Sequence, residues 1–254
     1  MPTMKRAFFV TAAAFCASGL MSTTARADDP GPLRAAGVKG PLGDERLSDE
    51  STLTRFGYPA MRYKVRTGPG RHYRTVDRLR FYTEDRAPEN YIVLRSKIGA
   101  NGKPWLEIRL PKRPNGSKGW VPGHAFGKLR TLTTAFEIDK SQLKARLYED
   151  GREIWMSSVG IGAPATPTPS GRFWVRERLN NLGGNPAYGP FAFGTAAYSG
   201  LSDWPGGGVI GIHGTNQPSL IPGRPSHGCV RVPNAKILKL KRLMPVGTPI
   251  WIHD

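Results

Sequence analysis

Cys229 and the two histidines that flank it in sequence, His213 sixteen residues before it and His227 two before it, form the grouping in this sequence best suited to covalent chemistry. A cysteine attacks a carbonyl as its thiolate, so it needs a base or a pKa-lowering environment beside it. In an extended segment His227 and Cys229 share a face, because side chains alternate along a strand. His213 ends the apolar run 209–213, and the intervening residues 216–225 can bring it opposite the thiol. They contain Pro218, Pro222, Gly223 and Pro225, and so form a shaped loop rather than a helix. Either histidine could therefore serve as the base. Gly228 allows close backbone approach, and its N–H together with that of Cys229 could stabilise an oxyanion.

Two plainer readings compete with this one. A lone cysteine is often an inert, buried small hydrophobe. Cys229, His213 and His227 could also make a three-ligand zinc site with an open position. No carboxylate or close His-x-x-x-His pair completes such a set, so no metal and no cofactor is expected. Gly206-Gly207-Gly208 precedes a strand rather than a helix, which removes a phosphate-cradling or dinucleotide reading. His72, His124 and His253 have no partners in sequence and read as structural or exposed. Tyr198 and Trp204, upstream of the thiol, could line its cleft or simply pack.

The elements that must position these residues are mostly short strands. Within 131–254, strands are expected over 143–148, 153–159, 171–175, 209–213 and 250–252, broken at Asp150-Gly151 and 164–169. One helix is expected where Ile237, Leu238, Leu240, Leu243 and Met244 recur at helical spacing, with Asn234 as its cap and Pro245 as its stop. Residues 58–130 read as a compact all-β module, with strands at 62–66, 91–94, 105–110 and 119–122. Residues 28–57 have no sustained apolar period and read as a linker.

The chain of 254 residues is long enough for one or two domains with a real core. Its 31 Gly and 23 Pro favour turns and short strands over long helices, and two cysteines exclude a disulfide-stapled miniprotein. Residues 1–27 have the form of a secretory signal: Lys5 and Arg6, an apolar stretch from Ala7 to Leu20, then Ala25-Arg26-Ala27 at the cleavage positions. Export to periplasm or cell wall, with cleavage after Ala27, is the expectation. Cleavage removes Cys16 and leaves Cys229 as the sole thiol. It also removes three basic residues, taking the formal charge from +18 to +15, of which +12 falls within 58–130. That excess predicts an anionic cell-wall or membrane surface as partner. Export disfavours nucleic acid.

With these residues in place, "IHGTNQPSLIPGRPSHGCVRVPN" resembles the signature of YkuD-type L,D-transpeptidases, and "TPTPSGRFWV" and "MPVGTPIWI" fit the same family. The stretch "VRTGPG…WLEIRLP…GSKGWVPGHAF" resembles a bacterial SH3-like module of wall proteins. The resemblance implies a small SH3-like barrel followed by a β-sandwich catalytic domain with a few short helices. It implies Cys229 as nucleophile, His213 as base oriented by the Gly214 carbonyl, and His227 and Gly228 shaping the nucleophile turn. Arg231 would bind a substrate carboxylate, with Ser226 as a neighbouring support and binding residue. The implied activity is 3→3 cross-linking of peptidoglycan stem peptides through a thioester, with release of D-Ala. Hydrolytic trimming of the stem, or wall binding without catalysis, are the rival outcomes.

Overall fold

The computed structural model describes residues 45–180, 182–201 and 205–254. The signal segment 1–27, the linker reading for 28–44, and Trp204 lie outside them.

Eight strands build a first, antiparallel sheet: β1 (Glu45–Arg46), β2 (Thr54–Gly57), β3 (Lys64–Arg66), β4 (Thr75–Arg78), β5 (Tyr91–Ile98), β6 (Pro104–Arg109), β7 (Lys118–Pro122) and β8 (Arg130–Leu132). Their order is β4-β3-β7-β6-β5-β2-β8, with β1 also pairing with β5. Alternation sets the faces. Val65 is fully buried between Lys64 and Arg66, and Leu106 and Ile108 point into the same apolar cluster. Residues 45–57 correct the linker expectation. Leu47 and Phe56 are buried, and the stretch pairs with β5 and β8. Between them the Asp49 carboxylate accepts the N–H groups of Ser51, Thr52 and Leu53, an Asx-type turn that folds two very short strands onto the sheet. Strands of two and four residues are too short to show a period in sequence.

Ten strands follow: β9 (Thr134–Asp139), β10 (Lys144–Glu149), β11 (Arg152–Ser158), β12 (Gly160–Gly162), β13 (Gly171–Asn180), β14 (Phe191–Tyr198), β15 (Val209–His213), β16 (Gly223–Ser226), β17 (Val230–Arg231) and β18 (Pro249–His253). They run in the order β11-β10-β9-β18-β13-β14-β15-β17-β12-β16. One apolar cluster contains Trp155 of β11, Phe173 of β13, Ile212 of β15 and Val230 of β17. Strands so far apart in the ladder share a core only because the sheet curls over on itself. Asp150 and Gly151, both at positive φ, make the β10–β11 hairpin turn.

The single α-helix among the described residues, α1 (Asn234–Leu243), closes this core with Ile237 and Leu240. Its N-cap is Pro233, and Asn234 makes no capping bond, which corrects the expectation for that residue. The molecule is thus mostly β. Its two sheets meet through a third cluster, in which Phe56, Ile92, Leu94 and Leu132 pack on Trp174 and Ala196. Tyr198 belongs to this junction. It is buried, and its hydroxyl bonds to Glu84 and to the Pro111 carbonyl, so packing rather than cleft lining explains it.

Candidate active site

Parallel pairing of β15 with β17 brings the chemistry together. The register places Ile212 beside Val230 and His213 beside Arg231. It follows that Gly211 lies beside Cys229, and that residues 211, 213, 229 and 231 project from one face. The Gly211 N–H donates to Cys229 Sγ at 3.3 Å. A Cβ placed on Gly211 would lie 3.7 Å from His213 Cδ2 and 3.9 Å from Cys229 Sγ, so the imidazole and the thiol converge over this glycine. The cleft above them holds about 280 Å³ and is lined by Asn185, Ala187, Tyr188, His213, Ser226, His227, Cys229 and Arg231.

His213 is buried, with Nδ1 2.6 Å from the Gly214 carbonyl. A carbonyl only accepts, so Nδ1 carries the proton and Nε2 keeps its lone pair in the neutral ring. The Gly214 backbone is fixed in turn. A side chain there would strike Asn234 Oδ1 and Pro190, and Asn234 Oδ1 accepts the Thr215 N–H at 2.8 Å. The work of Asn234 is therefore to pin the turn after β15. The ring of Tyr188 stands edge-on to His213, centroids 4.9 Å apart.

Cys229 leaves a tight turn after β16. Gly228 sits at φ 124°, a conformation that disfavours any side chain. Ser226 Oγ donates to the Cys229 carbonyl at 2.6 Å and accepts the Gly228 N–H at 3.1 Å. One expectation changes as a result. The Gly228 amide is engaged by Ser226 and is not open to an oxyanion. Ser226, with its hydroxyl bonded to both backbone groups, braces the turn and also lines the cleft. Thr168 adds a second brace, donating to the Gly228 carbonyl at 2.7 Å and accepting the Gly162 N–H at 2.9 Å. His227, expected to share a face with Cys229, lies instead on the bend between β16 and β17, exposed at the cleft rim. Its place on the rim sets it apart from His213, whose ring is buried and held.

Burial dominates the electrostatics. It pushes the His213 imidazole down to about 4, with the Arg231 charge acting in the same direction and the Gly214 carbonyl opposing it. Burial also pushes the Cys229 thiol up, against the Gly211 hydrogen bond and the Arg231 charge, which both lower it. The resting site is therefore a neutral thiol beside a neutral imidazole. Arg231 donates from Nη1 to Gln217 Oε1 at 3.1 Å, while its buried Nε has no hydrogen-bond partner. Arg231 lines the cleft, where a guanidinium charge suits a carboxylate. Sequence reasoning missed Tyr188, Asn185, Gln217 and Thr168. Of these, Thr168 lay within the Thr-Pro-Thr-Pro run and Gln217 within the loop 216–225, both already singled out.

A curled β-domain that buries a histidine beside a cysteine on two parallel strands defines the class to which this site belongs. Residues 133–252 match the YkuD family model, described as the L,D-transpeptidase catalytic domain. Over 107 residues the chain is 37% identical to a Bacillus licheniformis protein named as the L,D-transpeptidase YkuD, covering 42% of this chain and 58% of that one. Over 124 residues it is 30% identical to the YqjB protein of Bacillus subtilis, also named as an L,D-transpeptidase, covering 46% of this chain and 69% of that one. Among solved structures, an Enterococcus faecium L,D-transpeptidase variant is 24% identical with a TM-score of 0.37, covering 47% of this chain and 49% of the other. The chain belongs to the YkuD family of L,D-transpeptidases. It spans a little over half the length of the Bacillus licheniformis relative.

Proposed function

We propose that this protein is an exported, cysteine-dependent peptidoglycan L,D-transpeptidase that forms 3→3 cross-links. The observation that carries the reading is the convergence of Cys229 Sγ and the held imidazole of His213 in one cleft with Arg231. Because thiol and imidazole are both neutral at rest, proton removal accompanies attack. His213 Nε2 takes the Sγ proton as Sγ bonds to the carbonyl carbon of the diamino-acid residue in a tetrapeptide stem. The Cys229 N–H lies beside the developing oxyanion. The C–N bond to the terminal D-Ala then breaks, and the leaving nitrogen receives the proton from His213. A side-chain amine of a second stem attacks the thioester, gives its proton to His213, and releases Cys229 as thiol. Arg231 holds a stem carboxylate.

The basic stretch 58–130, which resembles an SH3-like module, holds the enzyme against an anionic wall or membrane surface, and residues 1–27 direct its export. Purified protein incubated with tetrapeptide-containing muropeptides, with products read by mass spectrometry, tests the reaction. Cross-linked dimers absent from Cys229→Ala support transfer. Tripeptide monomers without dimers assign the site to hydrolysis instead, and turnover that survives Cys229→Ala removes the thiol from the mechanism.

A further inference from the structure

The N-terminal sheet reaches the segment that underlies the nucleophile turn. Between β6 and β7 the chain turns through Arg113 and Asn115, and both side chains cross to the second sheet. Asn115 supplies a reciprocal pair to the Tyr198 backbone, Nδ2 donating to its carbonyl at 2.8 Å and Oδ1 accepting its N–H at 3.0 Å. It does so where the β14–β15 register slips, between Gly194 and Tyr198. Arg113 lays its guanidinium over the Tyr198 ring, 4.9 Å from the centroid. From there it donates to the carbonyls of Ser199 at 2.9 Å, Leu201 at 3.1 Å and Gly207 at 3.0 Å. Ser199 and Gly208 close this excursion, N–H to carbonyl at 2.8 Å, directly before β15 begins.

The far side of the same segment touches the nucleophile turn. A Cβ placed on Gly228 would lie 2.8 Å from Ile210 Cδ1 and 3.7 Å from Ser199 Oγ. Gly211, whose N–H meets Cys229 Sγ, is the residue after Ile210. The geometry points to Arg113 and Asn115 as positioning residues for Cys229: by fixing Ser199 and the start of β15, the N-terminal sheet sets the floor beneath Gly228 and the approach of the Gly211 N–H to the sulfur. This rests on the reading of Cys229 as nucleophile and extends it, because the first sheet then belongs to the catalytic unit as well as to its attachment. All three carbonyls are reached from the one nitrogen Nη2, and Nε adds a second bond to the Ser199 carbonyl at 3.2 Å.

The full-length Arg113→Ala, Asn115→Ala and Arg113→Lys variants test this, using the pH dependence of Cys229 alkylation by iodoacetamide (read on the Cys229 peptide by mass spectrometry), muropeptide turnover, and the melting temperature. In Arg113→Ala the alkylation midpoint rises by about half a pH unit, as expected when one modest hydrogen bond to the thiolate is weakened. Its kcat falls by about tenfold at nearly constant KM, within the range that a small misplacement of a reacting group produces. Asn115→Ala moves both readouts in the same direction, and Arg113→Lys recovers part of each loss. An alkylation profile superimposable on the parent overturns the proposal, whether or not the melting temperature falls. If the parent protein itself turns over no muropeptide, the enzymatic reading fails, while the alkylation profile still decides whether Arg113 positions the thiol.

Discussion

With its Nδ1–H given to the Gly214 carbonyl and its ring buried, the His213 imidazole stays neutral across the physiological range, as the proposed base must. Its conjugate acid titrates at about 4, so the acidic limb of kcat/KM should fall near that value rather than near the ordinary histidine range. Arg231 depresses the His213 imidazole and stabilises the Cys229 thiolate. Arg231→Met should therefore move the acidic limb upward and the thiol limb upward too, besides raising KM for stems with a free carboxylate. A pH–rate series on both proteins checks the two directions together. The same burial carries a stability consequence with a definite sign. A histidine whose folded pKa is depressed stabilises the fold fully above its unfolded value of 6.5, and that contribution is lost as pH falls toward 4. The loss is about 3 kcal/mol from the separation of the two values. Urea midpoints measured from pH 7 to pH 4 should decline more steeply in the parent than in His213→Gln, and parallel curves would contradict the assignment.

At the scale of elements, the site is built by one pair of parallel strands and two braces behind the nucleophile turn. The cysteine, the histidines and the motif that carries them were legible from residue types and spacing alone. That β15 and β17 are parallel neighbours was not, because register is set by partners that alternation does not identify. The Ser226 hydroxyl shows the limit clearly: its motif position does not disclose that it bonds to the Gly228 and Cys229 backbone. Asn234 departs from the expected capping role for a related reason. An Asn at a helix start is usually a cap, and tertiary contact with Thr215 overrides that preference here. Residues 45–57 were misread because their strands are too short to repeat. Thr168→Val tests the second brace. It removes the donor to the Gly228 carbonyl and leaves the buried Gly162 N–H without an acceptor, which should cost about 1–3 kcal/mol. Turnover should fall beyond what the stability loss explains, since φ at Gly228 is no longer braced, and the ratio of active to total thiol by titration with a neutral reagent separates the two effects.

Across the whole molecule, the two sheets are joined by buried charge as well as by apolar packing. The Arg176 side chain, on β13, is fully buried and meets the equally buried Glu89, just before β5 of the N-terminal sheet, through two bonds, one of them Nε to Oε1 at 2.9 Å. Glu84 at 2.9 Å and the Tyr198 hydroxyl at 3.4 Å complete its surroundings, and Arg80 reaches Glu89 from the far side at 3.2 Å. Beside them the Trp174 indole donates to the Asn90 carbonyl, and Asn90 Nδ2 donates to the Arg176 carbonyl. Ion pairs of this kind reveal themselves when one partner is removed, because the remaining buried charge loses compensation, here leaving Arg176 only the part-exposed Glu84. Glu89→Ala should lower stability by about 3–5 kcal/mol, whereas Glu89→Leu combined with Arg176→Met, which removes both charges and keeps the volume, should recover most of that loss. Unfolding should remain a single transition in the parent, with tryptophan fluorescence and far-ultraviolet dichroism coincident, since the Phe56–Trp174 cluster and this pair make one cooperative junction. If Glu89→Ala instead splits the transition in two, with the catalytic sheet unfolding at the parent midpoint, the junction does not couple the two sheets. Positioning of Cys229 by Arg113 would then depend on the local contacts at Tyr198, Ser199, Leu201 and Gly207 alone.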